Sequence, residues 1–472
     1  MGAKKDNLEM KQSLKTRHMT MIALGGVIGA GLFVGSGVAI HEVGPGILLS
    51  YILSGLLVFM IMRILGEMAT TNPTSGSFSE YAREAIGPWA GITVGWLYWF
   101  QWVVVIAIEA IAGASIIQSW IPGFPLWIIT LLLTFLLTLT NIFSVKSFGE
   151  FEYWFSMIKV VSIILFLCLG ISLIFGIPFG SPEGFSNLVR NDGFLPHGSG
   201  AVLLGIVIVI FSFTGTEVTT IAAAESKDPE KSVSRAINST IWRVLIFYIG
   251  SIAVVVTLLP WNSADVLKSP FVAVLDNIGI PFAGQIMNVI VLIAVLSCLN
   301  SGLYTTSRML FSLAKKGDAP RLFLKLNKKG VPARGVFAAT IFSYLGVIMN
   351  FVSPEVVFMF LVNASGAIIL LVYLFIAVSQ LRMRKKYEKE NRGALKMKMW
   401  LYPYLTYATI IAILGILSAM AFIKSTQSQL FSTLILAAAI IVVSVIVGKN
   451  KRTNETLKET NDNKFVSDNR MN

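Results

Sequence analysis

Cysteine, histidine and charge are all scarce in this sequence, and each shortage closes off a class of function. Two cysteines, Cys168 and Cys298, can build neither a disulfide framework nor a thiolate metal site. Three histidines, His18, His41 and His197, lie far apart, and no HExxH, Ser-His cluster or nucleotide-cradling loop accompanies them. An enzyme is therefore not expected, and neither is a bound cofactor or a metal. Charged residues form 13% of 472, against 55% hydrophobic ones, at a mean hydropathy of +0.74. That leaves too little polar surface to face water on all sides.

What is abundant is apolar sequence in long runs, such as 160–175 and 430–447. Lipid offers no hydrogen-bond partners, so each such run must satisfy its own backbone as a helix, and runs without alternation exclude a barrel. Spans are expected near 20–42, 45–69, 90–119, 124–143, 153–176, 199–223, 238–260, 283–312, 334–352, 355–380, 400–423 and 429–447. The first run is long, Gly-rich and leads straight into a second span, so it is expected to stay in the mature chain. The fold class is an all-α membrane protein of about twelve transmembrane helices.

A formal charge of +13 could suggest nucleic acid, but the basic residues sort by side of the membrane. One side takes Lys4, Lys5, Lys11, Lys15 and Arg17, then Lys227, Lys231 and Arg235, then the dense set from Lys315 to Lys329, and the 382–398 stretch. The other has Arg190, Lys268 and Lys424. The positive-inside rule then turns both termini to the cytoplasm of a cell membrane, with the lipid bilayer and not a nucleic acid as partner. The sequence sets no oligomeric state.

Two spans are poor helices. The first reads LGGVIGAGLFVGSG over 24–37, and the sixth carries VIFSFTGTEV over 209–218. Small residues can simply let helices pack closely. Interruptions five spans apart also fit a transporter of two inverted five-helix repeats, with substrate held at the midplane where helices 1 and 6 are discontinuous. This gives a tail at 1–18, a transporter domain at 19–448 and a tail at 449–472. Within the domain, repeat one is about 19–177, repeat two about 198–381, and peripheral helices about 399–448. Disorder is expected after Arg452.

GGVIGAGLF followed five spans later by FSFTGTE resembles the amino acid-polyamine-organocation superfamily. GEMATTNPTSGSFSEYA at 66–82, SVKSFGEFEYWFSMIKV at 144–160 and LSCLNSGLYTTSRML at 296–310 are similar to its bacterial amino acid permease branch. Within the branch the likeness is greatest to gamma-aminobutyrate permeases, from Leu14 to the end of the last span. Two positions depart: Ala30 where many relatives have Thr or Ser, and Ala224 where relatives often have Gly. The resemblance implies a secondary transporter importing an amino acid or similar zwitterion by alternating access, with a proton as coupling ion. It also implies that Arg63, Glu67, 73–81 and Arg83 shape a hairpin closing the cytoplasmic path.

A zwitterion leaving water needs fixed partners at both charged ends, and unwound helix ends provide them. Amides of Gly29, Ala30 and Gly31 are expected to face a carboxylate, and carbonyls of Phe211, Ser212 and Thr214 an ammonium group. Phe213 is either a cover over the substrate, as the resemblance implies, or a packing aromatic. Ionisable residues in apolar spans demand an explanation, because burial there costs roughly 2.5–3.5 kcal/mol. Lys159 either snorkels to the interface or gains and loses a proton, and the resembling family has a lysine here in place of a sodium site. Glu109 either meets the substrate amine or bonds a neighbouring helix. Glu217 is expected to lock the unwound segment or share a proton with Lys159, and Glu225 to cap or gate the mouth. Asn300, Ser301, Asn363 and Ser365 either line a pathway or join helices, and Trp96, Trp99 and Trp102 form an interfacial belt or packing stripe.

Two rival readings remain within transport: a passive channel, since broken helices also occur in pores, and an exchanger of amino acid for amine.

Overall fold

The computed structural model describes residues 28–72, 77–143, 145–177, 184–217, 228–277, 281–352, 354–390, 393 and 395–468. Among the described residues every regular element is helical. A half-length helix α1 (Ser36–Val43, entered through the wider turn Gly31–Gly35) meets α2 (Ile47–Thr71) at a Gly44–Gly46 turn. There follow α3 (Ser77–Ala85), α4 (Pro88–Trp120), α5 (Leu126–Phe143) and α6 (Val145–Ile174). The second half has α7 (Gly198–Ser212), α8 (Pro229–Arg243) running through Val244–Gly250 into α9 (Ser251–Leu258), and two short helices, α10 (Ala264–Lys268) and α11 (Pro270–Asn277). It ends with α12 (Ala283–Lys315), α13 (Ala333–Val352), α14 (Pro354–Glu390), α15 (Tyr404–Phe422) and α16 (Lys424–Asp468). Each of the twelve expected spans thus has a helical counterpart.

Several helices outrun their apolar stretch. The seventh begins at Pro229, nine residues early, because Asp228 Oδ1 accepts from Lys231 N and Pro229 suits the first helical position. The last was expected to end at 447 and give way to disorder after Arg452; instead it is helical to Asp468. Hydropathy measures the length in lipid, whereas a helix stops at a breaker, and no Gly or Pro follows Gly448.

α4 is the most enclosed of the long apolar helices and packs on α12 and α14, while α15 and α16 are the least enclosed. α1 and α2 lie against α7. The interruption expected in the sixth span is present: after Ser212 the chain turns through Phe213–Gly215 before Thr216 and Glu217 resume a helix. At the one expected in the first span, Ile28 and Gly29 are non-helical and lead into the helical turn that begins at Ala30, and the residues before Ile28 lie outside the described ones. Gly215 has φ +95°, which favours glycine. The breaks touch: a Cβ on Gly31 would stand 2.7 Å from Ser212 Cα.

At one end of the bundle, carrying the 315–329 and 382–398 basic residues, charges tie the helices together. Glu67 on α2 accepts from Arg384 Nη1 (2.6 Å), Gln380 Nε2 (2.7 Å) and the Met399 amide (2.6 Å). Arg63 donates to the Lys398 carbonyl at 2.9 Å and stacks over Trp400. The short helix α3 is pinned by Arg83 to Asp318, Glu80 to Lys316 and Glu84 to Lys386.

Candidate functional site

The first break is held by two helices that carry buried charge into it. α4 presents Glu109, whose two oxygens accept from the Ala30 amide at 3.1 and 2.9 Å. α6 presents Lys159, whose Nζ donates to the Ile28 carbonyl at 3.2 Å and to Ser297 Oγ at 2.8 Å. The Ser297 hydroxyl, on α12, donates in turn to Glu152 Oε1 at 2.6 Å, and Lys159 Nζ lies 3.9 Å from that oxygen. Lys159, Glu152 and Glu109 are all buried. A lysine is tolerable here because a carboxylate, a hydroxyl and a carbonyl replace its water.

The second break is held differently. Glu217 folds back so that Gly215 N donates to its two oxygens at 3.0 and 3.1 Å, while Tyr98 OH (2.8 Å) and Tyr373 OH (3.2 Å) donate from α4 and α14. The carboxylate thereby satisfies an amide that the missing turn would leave bare. Tyr248 OH donates to the Ser212 carbonyl at 2.9 Å, and the Phe213 ring is buried between Tyr51 and Tyr248. Gln101 Nε2 donates to Ser365 Oγ at 2.6 Å and reaches Thr214 Oγ1 at 3.5 Å. Gln101 Oε1 and Asn363 Oδ1 are buried and have no hydrogen-bond partner among the described residues.

The expected residues therefore gather in two clusters either side of the Gly31–Ser212 contact. Two of the expected roles read differently in the structure. The Ala30 amide, expected to stand free for a substrate carboxylate, is given to Glu109, since a buried carboxylate draws the nearest uncommitted donor. The Phe211 and Ser212 carbonyls, expected to face an ammonium group, accept from Thr214 N (3.1 Å) and Tyr248 OH. Of the two uses expected of Glu217, its bonds to Gly215 and the two tyrosines have the form of a lock on the unwound segment, and it lies in a different cluster from Lys159. Glu225 lies outside the described residues. Asn300 bonds Asn141 at 2.6 Å and so joins α12 to α5. Trp99 and Trp102 are buried, and Trp96 Nε1 donates to the Asp318 carbonyl, which makes this stripe packing and not a belt. His41 and His197 both pack edge-on against Trp261, and His18 lies outside the described residues.

Sequence reasoning missed Glu152, Ser297, Tyr98 and Tyr373. Only Glu152 left a signal: it stands seven residues before Lys159, two helical turns on one face.

Two adjoining breaks with buried polar groups at their meeting point are the arrangement expected of a helical membrane transporter. The chain belongs to the amino acid permease family, whose model ("Amino acid permease") matches residues 18–460. It is 64% identical to the gamma-aminobutyric acid permease of Bacillus subtilis strain 168, over 94% of this chain and 95% of that one. Identity to the gamma-aminobutyric acid permease of Escherichia coli K12 is 49%, over 96% and 97%. Identity to the aromatic amino acid transport protein AroP of Corynebacterium glutamicum is 40%, over 94% and 96%. The fold is shared with the crystal structure of the Eremococcus coleocola manganese transporter, at 15% identity and TM-score 0.55 over 91% and 92% of the two chains.

Proposed function

We propose that this chain imports gamma-aminobutyrate, or a zwitterion of similar length, by proton symport with alternating access. The observation that carries the reading is the seat at the first break. Glu109 occupies the N-terminal end of a half-helix, a position that attracts anions. A substrate carboxylate that reaches the same amides competes with Glu109, and a displaced Glu109 carboxylate then pairs with the substrate ammonium. The substrate thereby brings its own counter-charge to both partners.

Lys159 is the proton-coupling group in this reading. Its contact with Ile28 ties its charge to the backbone of the break, so a change of protonation alters what holds that segment. Identity of 64% to a gamma-aminobutyric acid permease supports the substrate, while 40% identity to an aromatic amino acid carrier marks how far specificity can drift on this frame. The asymmetric basic residues support a cell-membrane location with both termini cytoplasmic, the basic end of the bundle facing inward.

The test is uptake of a labelled amino acid panel by transport-deficient cells, then by proteoliposomes. Accumulation of gamma-aminobutyrate against its gradient, collapsed by a protonophore, is expected. Uptake of none of the panel by well-expressed protein overturns the reading. Accumulation that instead requires a solute preloaded on the far side assigns exchange.

A further inference from the structure

We propose that Glu152, reached through the Ser297 hydroxyl, is the inward exit for the proton carried by Lys159, a step that rests on the proton-symport reading above. Along α6, Glu152 precedes Lys159 by seven residues, about 10 Å of axial rise and nearly the same angular position. It is the nearer of the two to the helix start at Val145, the basic end of the bundle. The Lys159 side chain bridges that separation together with Ser297: Nζ to Oγ is 2.8 Å and Oγ to Glu152 Oε1 is 2.6 Å. All three groups are sealed from solvent, which keeps a transferred proton on this track.

The carboxyl can also pass the proton on. Among the described residues neither Glu152 Oε2 nor Ser301 Oγ, both buried, forms a hydrogen bond. The Ser301 hydroxyl lies next to that carboxyl and stands four residues further along α12, toward its Lys315 end. Among the described residues, Glu109 on α4 and Cys298 on α12 are further titratable groups that act on Lys159. Glu109 is committed to the first break.

The transfer balances without any outside reactant. The Lys159 ammonium gives one proton to Ser297 Oγ as the Ser297 hydroxyl proton passes to Glu152 Oε1. The products are a neutral lysine, an intact serine and a protonated carboxyl. Neutral lysine no longer brings charge to the Ile28 carbonyl, which loosens the break after substrate release. Rotation of the protonated carboxyl then presents that proton to Ser301 Oγ, whose own hydroxyl proton leaves toward the basic end as the Glu152 carboxylate is restored.

The experiment compares the parent chain with Glu152→Gln, Ser297→Ala, Ser297→Thr and Lys159→Gln in proteoliposomes. Gamma-aminobutyrate counterflow, which needs no net proton movement, is measured beside uphill accumulation driven by an alkaline lumen and beside substrate-evoked acidification of a trapped dye. Glu152→Gln and Ser297→Ala are expected to lose accumulation and acidification tenfold or more while counterflow changes far less, and Ser297→Thr to restore both. Full accumulation by Glu152→Gln, with Lys159→Gln inactive, overturns the relay and leaves proton symport standing. Full accumulation by Lys159→Gln takes the coupling role from Lys159 and overturns the relay with it, whereas no accumulation by the parent chain under the same gradient overturns proton symport itself. If Glu152→Gln does not fold, the contrast between Ser297→Ala and Ser297→Thr decides, and equal accumulation by the two overturns the relay.

Discussion

The Tyr98 hydroxyl donates to Glu217 Oε1 at 2.8 Å, so the most enclosed helix of the bundle directly grips the segment that follows the second break. Tyr373 makes the matching bond to Oε2 at the longer distance of 3.2 Å. Losing one donor to a buried carboxylate costs about 1–3 kcal/mol. Tyr98→Phe is therefore expected to lower the thermal midpoint more than Tyr373→Phe. The double variant should depart from the sum, since both phenols serve one carboxylate. Melting curves of the three purified proteins check the order.

Contact between the breaks sets a steric limit. A Cβ on Gly31 meets Ser212 Cα at 2.7 Å, and that atom is backbone, so no side-chain rotation relieves it. Gly31→Ala is expected to cost about 1–3 kcal/mol and to reduce uptake tenfold or more, because one break must shift away from the other. Gly415→Ala, on α15 with open space around it, is the control. Uptake per folded molecule in the two variants is the measurement.

Much of this was legible because the interruptions are written in composition: glycines at 29, 31 and 35, and Ser212, Thr214 and Gly215 inside apolar runs, are poor helix. The ionisable residues announced themselves by their cost in lipid. Their partners did not. A tyrosine such as Tyr98 or Tyr373 in an apolar helix reads as packing, because nothing in the sequence says that a hydroxyl from 119 or 156 residues away will find Glu217. The use of the Ala30 amide was missed for a related reason. The sequence offers an amide without an intrahelical partner and a buried acidic side chain separately, and that Ala30 and Glu109 satisfy each other is a fact of tertiary contact.

The basic end of the bundle holds two kinds of ion pair with different consequences. Glu67 is buried and accepts from Arg384, Gln380 and the Met399 amide, whereas Glu80 and Lys316 are about one-third exposed. Arg384→Ala leaves a buried carboxylate without its cation and is expected to cost on the order of 3–5 kcal/mol. Lys316→Ala is expected to cost under about 1 kcal/mol, and less still in high salt. Replacing Glu67 and Arg384 together by Met should recover most of the larger loss. Denaturation midpoints at low and high ionic strength separate the cases.

The Glu109 seat makes a prediction about ligand chemistry. If the substrate carboxylate takes the half-helix amides and Glu109 turns to the ammonium, then Glu109→Gln removes the partner of one end of the substrate only. A charge-assisted hydrogen bond contributes about 1.5–3 kcal/mol, so gamma-aminobutyrate should bind roughly tenfold to a hundredfold more weakly. Butyrate, which has the carboxylate but no ammonium, should bind as before or better, because the variant no longer holds a competing anion at Ala30. Competition binding with both ligands reads the difference directly. An equal loss for the two would mean that Glu109 supports the break without meeting the substrate, and would remove it from the binding site.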